Sequence, residues 1–461
     1  MADFDLKKIL KERTGDMYHL HSKHINKQFV KVVKTIGFDK AYTRANGYYL
    51  YDKDNKRYID FITGYGVFAL GRNHPVIVKA IMDFIGSQAP HLLKMDCAVV
   101  SGLAAECLIK IAPDNLENVF FTNSGSESVD TAMKYAKCFT KRDKFVFLKH
   151  AFHGLTIGPL SVNGNIEFKD GFGKLLDGCQ QIPFNDLEVL ERALKNNDVA
   201  AFIFEPIQGK GVYLPDHDYF PQAETLCRKY GALMIADEIQ TGCGRTGKFF
   251  AFEHFGITPD IVTLSKALSG GMIPVGAVLS RQDIHDSVFS KMDRCVVHSS
   301  TFSQNGLAMA AVLATLHVIE SENILDNVIH LERIFLDGLN QHRKKYDIIK
   351  EIRGKGVMIG IEFTRPQSLG MKTAWDMIHR MNQDLFTQTI IMPLLNKHRI
   401  LTQVAGHRMD VIKLLPALTL NPEDALYFLQ SFECVLTDCS KFPGSMWTSI
   451  FHLAKNSLLN R

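Results

Sequence analysis

Three short stretches carry residue types that could do chemistry together. Lys266 stands in DIVTLSKALSGG (260–271), where an apolar run ends and a small-residue turn begins, a place with little room for a long cation. Most lysines keep a solvated head group, so this one is read through its surroundings. The apolar run before it, ALMIADE (232–238), ends in Asp237 and Glu238. A carboxylate buried there needs a cation or a hydrogen-bond donor to stay ionised. Further upstream, NVFFT (118–122) runs into NSGSES and a helical pattern. A small-residue loop at a helix N-terminus offers free backbone N–H groups, a natural cradle for phosphate. A phosphate cradle, a carboxylate and a half-buried amine on one rim call for one cofactor, pyridoxal phosphate. It needs a site for its phosphate, an acid for its pyridinium nitrogen and a lysine for its aldehyde. Desolvation beside a cationic ring lowers the pKa of that lysine, as an attacking amine requires.

These groups need elements that bring strand ends together. Apolar runs recur at NVFFT (118–122), KFVFLKH (144–150), AAFIFEP (200–206), ALMIADE (232–238), DIVTLSK (260–266) and PVGAVLS (274–280). Helical patterns such as SESVDTAMKYAKCF and PQAETLCRKYG lie between several of them. Strands without polar alternation, separated by helices, predict an α/β fold with a mostly parallel sheet covered on both faces. Ligands of such sheets sit at the carboxyl ends of the strands, which is where the three stretches gather. The flanks differ. GYYLYDKDNKRYIDF (47–61) alternates around DKDN and predicts a hairpin, while 321–461 mixes long helices with short strands such as GVMIGIEF (356–363). We expect a large domain over 66–322 and a smaller α+β domain built from both chain ends, 1–65 and 323–461.

Composition narrows the function classes. The 461 residues are 46% hydrophobic and 22% charged, enough for a large core. With 53 basic against 49 acidic residues the formal charge is +4 and no basic stripe forms, so nucleic acid is not an expected partner. The nine cysteines form no CxxC and join no His/Cys cluster of zinc spacing, which predicts no metal and fits a reducing, cytoplasmic setting. MADFDLKKILKERTG is charged from its third residue, unlike a signal peptide. The longest apolar stretch, GLAMAAVLATLHVI (306–319), falls short of the roughly 20 residues a bilayer needs and predicts a buried helix rather than a membrane span. GCGRTG (242–247) matches G-x-G-x-x-G, but DEIQT separates it from its strand and FFAFEHF follows it, so a dinucleotide site is not expected.

Six motifs in order, TNSGSE (122–127), FHG (152–154), EPIQG (205–209), DEIQTGCGRTG (237–247), LSKALSGG (264–271) and STF (300–302), resemble the class III, ornithine-type pyridoxal phosphate aminotransferases of fold type I. The likeness spans residues 30 to 425. It implies that Lys266 bonds the cofactor and that Asp237 holds its ring nitrogen. Gly125 and Ser126 would bind the phosphate, Phe152 and Ile239 would pack on the two ring faces, and Gln240 would touch the ring oxygen. His153 and Glu205 would lie beside the cofactor, with no catalytic part for His153. Thr301 would reach into the neighbouring subunit's site, which implies a homodimer with shared active sites. The implied reaction moves an amino group from a small-molecule amine donor to a keto-acid acceptor by a ping-pong mechanism, although the same fold also serves aminomutases and decarboxylases.

Two positions depart from that family. Ornithine-type members carry an arginine just before Pro-Pro-Leu that clamps an α-carboxylate, and many carry a glutamate directly after EPIQG that pairs with it. Here DVIKLLPAL places Lys413 at the first position and EPIQGK places Lys210 at the second. A compact ammonium lacks the two-pronged match that guanidinium gives a carboxylate, and two cations cannot pair. The expected donor is therefore a primary amine without an α-carboxylate, such as a diamine, a longer-chain amine or an ω-amino compound. The alternative is an ornithine- or acetylornithine-type amino acid whose carboxylate Lys413 meets as a point charge. Tyr65 and Phe68 are expected to line the donor pocket, and Arg408, five residues before Lys413, to hold the keto acid.

Overall fold

The computed structural model describes residues 4–367 and 386–440, with 372–373, 375–377 and 379 between them, and its centre is a seven-stranded sheet. In spatial order the strands are Asn118–Thr122, Gly276–Ser280, Ile261–Leu264, Leu233–Asp237, Val199–Phe204, Lys144–Leu148 and Cys179–Ile182. Gly276–Ser280 runs antiparallel to both neighbours, and every other pairing is parallel. Successive strands that run the same way need crossovers, which the helices Gly125–Thr140, Leu187–Leu194 and Tyr219–Tyr230 supply. This is the α/β architecture of fold type I.

Burial explains the unbroken apolar runs. Every residue of Val199–Phe204 and of Leu233–Asp237 is buried, so neither strand has a wet face on which polar residues could alternate. Adjacent residues serve opposite faces: Phe202 and Phe204 pack with Phe220 and Phe250, whereas Ile203 packs with Phe145, Phe147 and Ile235. The edge strand Cys179–Ile182 carries the partly or fully exposed Cys179, Gln180 and Gln181, and so escapes a search for apolar runs. Helix Gly306–Ser321 is buried along most of its length, as the apolar stretch predicted. No single helix among the described residues is long and apolar enough to cross a membrane, and Gly306–Ser321 and Ile324–Lys345 meet at a 62° bend.

Two smaller sheets flank the large one. In the first, Tyr42–Asn46, Tyr49–Asp52 and Arg57–Asp60 form a meander, and Ile400–Leu401 adds to Arg57–Asp60 in parallel. The chain ends thus share a sheet. The hairpin expected at 47–61 is present, its turn tied by Asp52 Oδ1, which accepts from the N–H groups of Asp54 and Lys56 at 2.9 Å each. The second sheet is antiparallel, in the order Ile349–Lys355, Met358–Phe363, Val411–Leu414, Gln403–Ala405. Residues 1–3 and 441–461 of the expected smaller domain lie outside the described residues.

Candidate active site

Lys266 follows the strand Ile261–Leu264 and opens a single helical turn, Lys266–Ser269, with a left-handed φ of 40°. That backbone is costly for a side chain with a Cβ, and such strain gathers at functional positions. The turn is tied by Ser265 Oγ donating to Val275 O at 2.7 Å and Ser269 Oγ donating to Ile273 O at 2.5 Å. Burial lowers the lysine's pKa, with Asp237 and Glu205 pulling the other way. A neutral amine is the form that attacks a carbonyl.

Asp237 ends the adjacent parallel strand and is 3% exposed. His153 Nδ1 lies 2.7 Å from Asp237 Oδ2, while Oδ1 accepts from Ile239 N at 3.1 Å and from Thr263 Oγ1 at 3.3 Å. A carboxylate only accepts, so this geometry assigns the imidazole proton to Nδ1. His153 Nε2 is buried without a partner. Glu205, also buried, uses its two oxygens to accept from Phe152 N and Gly209 N at 2.9 Å each, and burial raises its pKa. It thereby ties the FHG and EPIQG segments together. Glu238 is a different case: burial pushes it up to about 7, and it accepts from Thr241 Oγ1 and Phe252 N, which holds the turn behind the strand.

The helix start expected after NVFFT forms at Gly125. Ser124 caps helix Gly125–Thr140 by accepting from Glu127 N, and Glu127 Oε2 accepts in return from Asn123 N at 2.8 Å. The N–H groups of Gly125 and Ser126 begin the helix and have no partner within it. A Cβ on Gly125 would stand 2.8 Å from Ile239 Cδ1, so only glycine lets Ile239 lie against the helix end. Ser126 Oγ accepts from Leu155 N at 3.3 Å and draws the FHG turn onto the same end. Phe152 is half-buried and meets Phe168 edge-on at 5.3 Å.

On the opposite side Gln240 Nε2 donates to Tyr65 O at 3.0 Å, and Gln240 Oε1 faces Lys413 Nζ at 3.4 Å. Lys413, 6% exposed in the strand Val411–Leu414, also donates to Gly209 O at 2.7 Å. Burial, with Lys266 as a like charge, pushes its ammonium down to about 7. Lys210 turns elsewhere, pairing with Glu167 and lying 5.0 Å over the Phe168 ring. Phe68 packs beside the lysine turn, since a Cβ on Gly271 would meet its Cδ1 at 2.6 Å. Tyr65 is 62% exposed. Arg408 is exposed in the hairpin turn between Gln403–Ala405 and Val411–Leu414, apart from these hydrogen bonds, and its charge faces Asp410. Thr301 is exposed too, next to Ser300, whose Oγ accepts from Asn123 Nδ2 at 2.7 Å.

Arg245, within GCGRTG, escaped the sequence reading as a site residue. It is 1% exposed, donates through Nη1 to Pro416 O, leaves Nη2 without a partner and stands near enough to Lys413 to repel it. Its signal was an arginine between glycines in a buried stretch. The residues around it, 240–250, are turns, and no helix opens at Gly247, so the dinucleotide alternative lacks its helix as well as its spacing.

Two unused N–H groups at a helix end, a buried carboxylate at a strand end and a partly accessible lysine of lowered pKa fit pyridoxal phosphate, and the comparisons agree. The family model described as aminotransferase class III matches residues 33–436, and the chain belongs to that family of pyridoxal phosphate enzymes. Among curated proteins it is similar to the aminotransferase PigE of a Serratia species, 32% identical over 94% of this chain; the chain spans 54% of that relative's length. Among solved structures it resembles the ornithine aminotransferase of Toxoplasma gondii, with 29% identity, TM-score 0.76, and coverage of 87% of this chain and 92% of that one. It also resembles an amine transaminase from an uncultivated Pseudomonas species in its PLP-bound form, with 27% identity, TM-score 0.73, and coverage of 87% and 95%.

Proposed function

We propose that this chain is a transaminase that takes its amino group from a primary amine lacking an α-carboxylate, such as a diamine, a longer-chain amine or an ω-amino compound, and delivers it to a keto acid. One observation carries the reading: Lys413 Nζ is occupied by Gly209 O and Gln240 Oε1 while Lys210 is drawn off to Glu167, so neither stands ready to clamp a carboxylate. The likeness to an amine transaminase supports it, and the likeness to ornithine aminotransferases keeps the amino-acid alternative in view.

Bound pyridoxal phosphate supplies an electrophilic carbon for the amine and a ring that takes up an electron pair. The chain's residues do the rest. Gly125 and Ser126 offer N–H groups to the phosphate, Phe152 and Ile239 enclose the ring, and Asp237, steadied by His153, Ile239 N and Thr263, keeps a proton on the ring nitrogen. Lys266 Nζ, whose charged form burial disfavours, moves a proton to and from the substrate carbon. Donor and acceptor use the site in turn. We further infer a homodimer, because Lys94 Nζ, bonded to Ser300 O and Ser303 O, ties together two segments that expose Met95 and Phe302, apolar side chains suited to a second copy.

The test is a panel of single half-reactions followed by the bound cofactor's absorbance. Diamines and monoamines should convert the cofactor at least about tenfold faster than ornithine or N-acetylornithine of similar length, a tenfold ratio being the loss of one modest polar contact. The reverse order overturns the amine reading and makes Lys413 a working carboxylate clamp.

A further inference from the structure

The segment between the first small sheet and the large one holds an unusual backbone. Thr63, Gly64, Tyr65 and Gly66 have φ values of 46°, 63°, 61° and 91°, a full left-handed turn in which two residues carry a Cβ. Isolated left-handed residues are common in turns, but four in succession persist only where the surroundings enforce them. The enforcement is visible. Asp60, fully buried, accepts through Oδ1 from Ile62 N at 2.8 Å and Thr63 N at 2.9 Å, and pairs through Oδ2 with Arg72. Thr63 Oγ1 donates to Leu415 O at 2.7 Å, and the Arg72 guanidinium lies 4.2 Å over the Phe68 ring.

The turn delivers one group to the pocket, the Tyr65 carbonyl that accepts from Gln240 Nε2. A carboxamide NH2 carries two hydrogens. Tyr65 O takes one and Lys413 faces the oxygen end, so the amide plane is fixed and the second N–H is aimed in a set direction. We propose that Asp60 is a positioning residue, which holds the left-handed turn Thr63–Gly66 so that the Tyr65 carbonyl aims the Gln240 amide at the cofactor's ring oxygen. The proposal rests on the reading of the site as a pyridoxal phosphate pocket. The Thr63 hydroxyl bond to Leu415 O also accounts for a threonine at a left-handed position that glycine would fill without strain.

The test uses the cofactor-loaded protein with Asp60→Asn, Gln240→Ala and the double variant. Asp60→Asn keeps an oxygen for the two N–H groups but loses the charge that holds Arg72. A hydrogen bond donated to a ring oxygen favours its anionic form, so misaiming Gln240 should raise the pH midpoint of the bound cofactor's absorbance by about 0.5. The kcat for a good donor should fall about tenfold with KM nearly unchanged, the pattern of an interaction lost at the reacting centre. In the Gln240→Ala background Asp60→Asn should add nothing to either change. Additive effects, or an unshifted spectrum in a variant that merely melts earlier, overturn the proposal. Thr63→Val, which removes the bond to Leu415 O and leaves Asp60 intact, should give the same spectral shift, and serves if Asp60→Asn fails to fold. Failure of the parent chain to bind the cofactor strikes the pocket reading itself and is separate from either result.

Discussion

Replacing Lys413 by methionine should stabilise the chain, and by an amount that depends on pH. Burial, aided by the like charges of Lys266 and Arg245 and opposed by Glu205, takes its ammonium from 10.5 down to about 7. Between those values the unfolded chain holds the proton and the folded chain gives it up, so stability rises with pH across the window. The penalty on folding is full below about pH 7, roughly 5 kcal/mol, and fades toward pH 10.5. Methionine fills similar volume without a charge, but it leaves Gly209 O unpaired, at a cost of about 1–3 kcal/mol. The net gain near pH 7 is about 2–4 kcal/mol, which for a chain of this length raises Tm by about 2–4 °C. At pH 10 the proton penalty has fallen to about 1 kcal/mol and the lost hydrogen bond prevails, so the variant should melt at or below its parent. Thermal melts of cofactor-free parent and variant at pH 7, 8.5 and 10 measure this. A loss at pH 7, or a gain equal at all three values, shows that the Lys413 ammonium is not penalised by its burial.

Three further outcomes follow from the site. Asp237→Asn should keep cofactor bound yet lose about 100-fold or more in turnover, since the amide cannot sustain a ring proton and charge stabilisation of this kind is worth roughly 3 kcal/mol; a rate within tenfold of the parent counts against the role. In sedimentation the active species should be a dimer, and Thr301→Ala should weaken cofactor binding about tenfold, the loss of one hydrogen bond to a charged group. A fully active monomer contradicts shared sites.

The strand-end placement of the candidate site residues was legible because they sit where periodicity changes. Lys266 and Asp237 end unbroken apolar runs, and a buried parallel strand has no other way to read. Direction was not legible: Gly276–Ser280 is as apolar as its neighbours and runs antiparallel to both, because an apolar run reads the same either way. Contacts between distant segments were the larger gap. His153 joins Asp237 across 84 residues of sequence, and Lys413 reaches Gly209 across 204. Arg408 and Lys413 stand five residues apart, yet one is exposed in a turn and the other buried in a strand, a distinction set by the pairing of Val411–Leu414 with Met358–Phe363. The left-handed turn at Thr63–Gly66 had no signal beyond its two glycines, since what holds it comes from Asp60 and Leu415.

Lys266 is proposed as the amine that bonds the cofactor, and the pocket holds a second buried amine, Lys413, against which to test it. Borohydride reduction of the loaded protein, followed by proteolysis and peptide mass mapping, fixes the cofactor wherever it is attached. Its mass should appear on the peptide that contains Lys266, not on the peptide that contains Lys413, and no peptide should be labelled in Lys266→Ala. Label on Lys413, or cofactor released with no lysine labelled, contradicts that role for Lys266.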